Sequence, residues 1–204
     1  MNDQIPLARP DLGEREEELV LEVLRSGRLS LGPRLSEFEN AFASWVGCDD
    51  AVAVSSGTAA LHLGVRALGW GEGDEVLTTP LSFVASANCL LYERATPVFC
   101  DIDPVTLNID PAAAQSAADN RQIAGILPVH IFGYPADLLA LEGIADAYEI
   151  PILEDACQAL GAIDAEGRPV GTAGHAASFA FYPNKQMTTG EGGVLVPVPA
   201  GEEM

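Results

Sequence analysis

Lys185 stands in the stretch Phe181-Tyr182-Pro183-Asn184-Lys185-Gln186-Met187-Thr188-Thr189-Gly190-Glu191-Gly192-Gly193, between an aromatic strand end and a glycine-rich turn. The chain carries ten basic residues against thirty acidic ones, so a cation in this apolar setting is a poor candidate for a solubility device. A lysine amine has an ordinary pKa of about 10.4 and is almost wholly protonated at neutral pH. Desolvation or condensation with a carbonyl frees it, and covalent carbonyl chemistry is the known use of such an amine. The competing explanation is a lysine in a surface loop.

Two other segments have chemical potential. In Ser55-Ser56-Gly57-Thr58-Ala59-Ala60-Leu61 a strand gives way to a helix at small residues. Free N–H groups and the helix dipole favour an anion at such a point by about 0.3 to 1 kcal/mol. A plain N-cap accounts for the same residues. The stretch lacks the glycine spacing of a nucleotide P-loop or a dinucleotide fingerprint, so its form suits a single phosphate. The second segment, Glu154-Asp155-Ala156-Cys157-Gln158, closes an apolar strand at the edge where α/β sheets present functional groups. An aspartate buried there needs a cation or several donors. A capping role is the alternative. Together, a phosphate cup, an acidic strand end and a lysine on successive parts of one sheet supply what pyridoxal 5'-phosphate requires. Those needs are an anchor for phosphate, a carboxylate for the pyridinium nitrogen and an amine for the aldehyde.

The elements that must position these groups alternate. Short apolar strands are expected over 51–55, 75–78, 97–101, 123–129 and 151–153, with helices over 57–67, 82–92, 111–118 and 136–148. Such alternation implies parallel βαβ crossovers, hence a three-layer α/β/α domain with a mostly parallel sheet. After Asp155 the rhythm changes: 177–181 and 193–198 read as strands joined by the turn that carries Lys185. An amphipathic helix over about 11–26 precedes the domain.

Composition narrows the function classes. With 48% hydrophobic residues the chain is globular, and a formal charge of −20 argues against nucleic acid or an anionic membrane as partner. Arg9, Arg15, Arg25, Arg28 and Arg34 gather near the N-terminus and read as a solvated helix face more readily than as an anion site. No run of eighteen apolar residues occurs and the first residues lack signal-peptide form, so a cytoplasmic protein is expected. Cys48, Cys89, Cys100 and Cys157 are spaced as isolated buried thiols, and neither they nor His62, His130 and His175 have metal-ligand spacing.

Four blocks carry a resemblance. They are residues 55–63, Pro128-Val129-His130-Ile131-Phe132-Gly133, Glu154-Asp155-Ala156-Cys157-Gln158-Ala159, and Tyr182-Pro183-Asn184-Lys185 with Thr189-Gly190-Glu191-Gly192-Gly193. In this order, over about residues 27–196, they resemble the DegT/StrS family of sugar aminotransferases. The resemblance implies that Lys185 bonds to the cofactor and moves the proton, Asp155 holds the pyridine nitrogen, and Gln158 reaches the phenolic oxygen. It further implies that Phe83 stacks on the ring and that Gly57 and Thr58 bind phosphate. Nucleotide-linked sugars and an amino donor, usually glutamate, are the implied substrates, and a homodimer the implied full-length form. The loop over 28–33 corresponds to a segment near substrate.

Two features depart from the family pattern. The serine that many members place five residues before the lysine is Ala180 here, with Ser178 on the same strand face by the two-residue period. Family chains also run to nearly twice this length. Residues 1–204 therefore read as an N-terminal segment plus an incomplete cofactor-binding large domain, without the small C-terminal domain. A dehydratase of the same family is one alternative, against which Lys185 speaks, because that branch typically has histidine there. A non-catalytic remnant acting as a binding module is the other.

Overall fold

The computed structural model describes residues 5–6 and 8–197. Two helices, α1 (Glu14–Ser26) and α2 (Pro33–Val46), lead into β1 (Val52–Val54), α3 (Gly57–Ala67), β2 (Glu75–Thr78), α4 (Ala85–Tyr92) and β3 (Thr96–Phe99). The chain continues through α5 (Pro111–Asn120), β4 (Ile123–Ile126), α6 (Leu138–Tyr148), β5 (Leu153–Asp155), β6 (Ala176–Ala180) and β7 (Gly193–Pro197).

The strands form two hydrogen-bonded ladders, β1-β7-β6-β5 and β3-β2-β4. Parallel bridges between Ile126 and Ile152 and between Val129 and Asp155 join them, giving the continuous order β1-β7-β6-β5-β4-β2-β3. Pairing directions make β7 the one reversed strand, antiparallel to both β1 and β6. Six strands therefore end at the same edge of the sheet. The β6–β7 turn, which carries Lys185, lies at that edge beside the end of β5.

Both faces of the sheet are covered, as alternation within β2 shows: Val76 packs with Leu61, Val65 and Leu90 of α3 and α4, whereas Leu77 packs with Ala114, Leu141 and Ile144 of α5 and α6. The three-layer, mostly parallel arrangement expected from the sequence is present. Local chemistry fixes the helix starts. The Ser56 hydroxyl accepts the Ala59 N–H, Asp110 accepts from Ala112 ahead of Pro111, and Asp137 accepts from Ala140. Each such cap contributes about 1 kcal/mol.

Several expectations are corrected. Helix α2 was not anticipated, because Pro33 reads as loop punctuation although proline is favoured at the first helical position. Its Phe38, Phe42 and Val46, spaced by four, belong to a cluster with Phe179 and Phe181. Strand β5 lies at 153–155 instead of 151–153, since Glu154 and Asp155 are buried within it. Helix α4 starts at Ala85, leaving Ser82 and Phe83 in its entry turn. Strand β4 is confined to 123–126, and the last residue of the strand expected over 193–198 lies outside the described residues. Cys89 and Cys100 are buried, while Cys48 and Cys157 are only partly covered; all four are free thiols. The helix expected over 11–26 forms at 14–26 with none of its residues buried, and Val20, Leu21 and Leu24 face outward.

Candidate active site

The α3 N-terminus forms one wall. Its geometry leaves the amides of Gly57 and Thr58 without a carbonyl one turn back inside the helix. Gly57 is required by packing: a Cβ at this position would come 2.6 Å from the Ala180 Cβ and 2.8 Å from the Cys157 sulfur. Gly193, paired with Ala180 across β6 and β7, presses equally closely on the backbone of Ser56 and Gly57. The helix start is thus seated on the end of the hairpin that carries the lysine. Ser178 is fully buried and its hydroxyl donates to the Gly57 carbonyl at 3.1 Å. Its single proton is directed there, and it is Ala180, not Ser178, that lines the cleft.

The end of β5 supplies two carboxylates. Glu154 is completely buried and accepts four hydrogen bonds: from the N–H groups of Gly171, Ala173 and Gly174 at 2.8, 3.0 and 2.7 Å, and from His130 Nε2 at 3.0 Å. The Ala136 N–H points at His130 Nδ1 at 3.0 Å, which makes that nitrogen an acceptor and leaves the ring proton on Nε2 facing Glu154. Burial alone would push the Glu154 carboxyl up, but the bond from His130 and the amides of Gly174 and Gly171 reverse this and hold it below its ordinary value. Asp155 is 5% exposed and receives the Ser86 hydroxyl at 2.6 Å and the Cys157 N–H at 3.2 Å. Among the described residues no cation pairs with it, and it lines a cleft of about 490 Å³.

Gly57, Thr58, Phe83, Asp155, Gln158 and Lys185 all line that cleft. The Lys185 turn is fixed from below. Phe181 donates to the Gly192 carbonyl, Thr189 N–H and the Thr188 hydroxyl donate to the Phe181 carbonyl, and Lys185 N–H donates to the Tyr182 carbonyl. The Gln158 side-chain oxygen accepts the Phe132 N–H at 2.8 Å, so the opposite end of its amide, the NH₂, is the end left for a ligand. Phe132 holds a left-handed conformation (φ 53°) that brings this N–H round, and Asn108 clamps the same loop by accepting from Ile131 and donating to the Tyr134 carbonyl. Phe83 overhangs the cleft, two-thirds exposed. Cys157 also lines it, but burial and then the neighbouring Asp155 push its thiol well above the ordinary range, so it stays protonated and does not compete with the amine.

A family model for DegT/DnrJ/EryC1/StrS aminotransferases matches residues 10–198. The chain belongs to that family. As a DegT/DnrJ/EryC1/StrS chain it is 44% identical over 194 residues to the spore coat polysaccharide biosynthesis protein SpsC of Bacillus subtilis, a match covering 95% of this chain and 49% of SpsC. Among solved structures it is similar to PseC of Helicobacter pylori, an aminotransferase of pseudoaminic acid biosynthesis, with a TM-score of 0.90 and 32% identity. That match covers 96% of this chain and 52% of PseC. The putative sugar aminotransferase Spr1654 of Streptococcus pneumoniae, solved in a PLP form, gives a TM-score of 0.90 and 30% identity over 97% of this chain and 54% of its own. The chain spans about half the length of these relatives. Pyridoxal phosphate is the cofactor of the family's aminotransferases.

Within this DegT/DnrJ/EryC1/StrS chain the cofactor-site candidates Gly57, Thr58, Phe83, Asp155, Gln158 and Lys185 line one cleft, whereas Ser178 donates to Gly57 and the loop over 28–33 lines a separate hollow beside α1 and the start of α2. The N-terminal arginines stay on the surface: Arg15 pairs with Glu18, Arg34 with Glu22 and Glu37, and Arg28 donates to the Leu31 carbonyl. Sequence reading missed Ser86, Asn108 and the His130–Glu154 pair, because partners far apart in the chain leave no local spacing signal. One signal was available and stronger than the basic-to-acidic ratio: Lys185 is the single lysine in the sequence.

Proposed function

We propose that this chain is the cofactor-binding half of an aminotransferase that uses pyridoxal phosphate to aminate a keto group on a nucleotide-linked sugar, with glutamate as amino donor. The observation that carries the reading is the convergence of Lys185, Asp155, Gln158, Phe83 and the Gly57–Thr58 helix start on one cleft. Family membership and the likeness to a polysaccharide-biosynthesis protein and a sugar aminotransferase support the substrate class.

The donor set fits the group. A helix start that tolerates only glycine, a buried carboxylate without a cationic partner among the described residues, and a lone lysine match phosphate, protonated ring nitrogen and aldehyde in turn. When bound, the cofactor supplies an aldehyde and an electron-withdrawing ring. The amides of Gly57 and Thr58, with the Thr58 hydroxyl, hold the phosphate. The Asp155 carboxylate accepts the ring N–H, the Gln158 NH₂ donates to the phenolic oxygen, and Phe83 covers the ring face. Lys185 Nζ would face the aldehyde and would carry the proton to and from the reacting carbon. Lysine at 185 favours transamination over the dehydratase branch. A homodimer and a cytoplasmic location belong to the same reading; among the described residues no helix is long and apolar enough to cross a membrane.

Adding pyridoxal phosphate to the purified chain should produce a visible absorbance band that Lys185→Ala abolishes. Borohydride reduction should fix one cofactor mass on the peptide containing Lys185, an unambiguous assignment because no other lysine exists. A band unaffected by Lys185→Ala, or none at all, would leave only the non-catalytic binding module.

A further inference from the structure

The turn entering α4 contributes a feature that neither the sequence motifs nor the roles above absorb. Ser86 is 1% exposed, and its hydroxyl lies 2.6 Å from Asp155 Oδ2, 2.6 Å from the Ser82 hydroxyl and 3.2 Å from the Phe83 carbonyl. A serine has one proton to donate. The short contact to a carboxylate outcompetes the long one to a neutral carbonyl, because charge-assisted bonds are shorter and about twice as strong. The Ser86 proton therefore goes to Asp155, and Ser86 in turn accepts from Ser82. Ser82 is part-exposed and lines the cleft. The result is a directed chain, Ser82 to Ser86 to Asp155, running from the cleft wall to the carboxylate.

The chain matters because the terminal torsion of an aspartate is soft: its carboxylate plane is not held by a steep rotamer well and must be fixed by partners. Here Oδ1 is held by the backbone N–H of Cys157 and Oδ2 by the Ser86 hydroxyl at 2.6 Å. We propose that Ser86 is a positioning residue for the reaction: it orients Asp155 toward the ring nitrogen of the cofactor, with Ser82 holding Ser86 in the donating rotamer. The proposal rests on the reading that Asp155 receives that nitrogen. The serines touch no reacting atom, and their effect passes through Asp155.

The test is a double-mutant cycle on the full chain, read by the dissociation constant of pyridoxal phosphate from absorbance titration of the apoprotein and by the melting temperature. Ser86→Ala should weaken cofactor binding by roughly tenfold, the value of one hydrogen bond to a charged group. Ser86→Thr, which keeps the hydroxyl, should restore affinity to within about twofold of the parent, a recovery that a purely packing role at this buried site does not give. In an Asp155→Ala background, Ser86→Ala should weaken binding no further. An unchanged dissociation constant in Ser86→Ala, or a tenfold loss that persists without Asp155, overturns the proposal while leaving the role of Asp155 intact. Unchanged cofactor binding in Asp155→Ala itself overturns the parent reading instead. Should Ser86→Ala fail to fold, Ser82→Ala at the part-exposed end carries the test. A loss of about two- to threefold, present with Asp155 and absent without it, supports the chain of donors, and no loss overturns it.

Discussion

Glu154 and Asp155 are consecutive residues of β5, both almost wholly buried, and the fold treats them in opposite ways. Side chains of successive strand residues leave opposite faces. Glu154 enters the interior, where three backbone amides and an imidazole saturate its oxygens. It pins the 171–174 segment and His130 to the strand, and it has no lone pair to offer a ligand. Asp155 receives two donors and keeps an open side toward the cleft. A buried charge whose partners are all internal is scaffold; one left under-supplied at a cleft wall is a site, because the missing partner must come from outside.

Replacing Glu154 with Gln should break the scaffold half of this comparison most strongly. One carboxylate oxygen becomes an NH₂ that faces backbone N–H donors, so at least one buried amide loses its acceptor. We expect a loss of about 3 to 5 kcal/mol in stability, the range for disrupting a buried charged network, read as a fall in the denaturant midpoint. A shift under about 1 kcal/mol would mean that the four contacts add little beyond the bonds they replace in water. Asp155→Ala should do the converse. The glutamate half-reaction should slow by at least about a hundredfold, comparable with removing one preorganised electrostatic partner, while the denaturant midpoint moves little and some cofactor remains bound. A full half-reaction in that variant would remove Asp155 from the site.

Acid should separate the two carboxylates as well. The Glu154 carboxyl is held below its ordinary value in the folded chain, so the unfolded chain binds the proton more readily. Its contribution to stability is complete above the unfolded value of about 4.3 and declines as pH falls through the lower folded value. Glu154→Gln has no such titration. Its stability should therefore fall less steeply below that pH than the parent's, measured as denaturant midpoints along an acid series; parallel curves would mean that another carboxylate governs acid unfolding.

How far these roles were legible in the sequence differs between the same two residues. The place of Asp155 at the cleft edge of the sheet was readable because its neighbours in the chain, an apolar strand before and Gln158 after, mark a strand end. The role of Glu154 depends on Gly171, Gly174 and His130, which only the fold brings to it, so its burial and the true extent of β5 were not predictable from local pattern. Helix α2 failed for a different reason. The spacing of Phe38, Phe42 and Val46 is present in the sequence, but Gly32-Pro33 ahead of it has the form of a turn. The parallel direction of the central strands came through because alternating apolar strands and helices restrict the sheet to parallel crossovers, whereas their order in the sheet had no local signal and the only trace of the reversal at β7 was the missing helix after β6.

The smallest expected effect concerns Ser178 and Ala180, two residues of β6 on the side that faces the α3 start. Ser178 donates inward to the Gly57 carbonyl, whereas Ala180 reaches the cleft with no polar atom. Ala180→Ser places a hydroxyl beside the amides of Gly57 and Thr58, and one added bond to a phosphate is worth about 1.5 to 3 kcal/mol when geometry is good. The close approach of Ala180 to Gly57 limits the accessible rotamers, so a gain nearer threefold to tenfold in cofactor affinity is expected by absorbance titration. Ser178→Ala should leave that affinity unchanged and lower stability by about 1 kcal/mol, the usual value of one internal hydrogen bond. The reverse pattern, with affinity falling in Ser178→Ala and unmoved in Ala180→Ser, would show that the Ser178 hydroxyl turns from the Gly57 carbonyl to the phosphate when the cofactor binds.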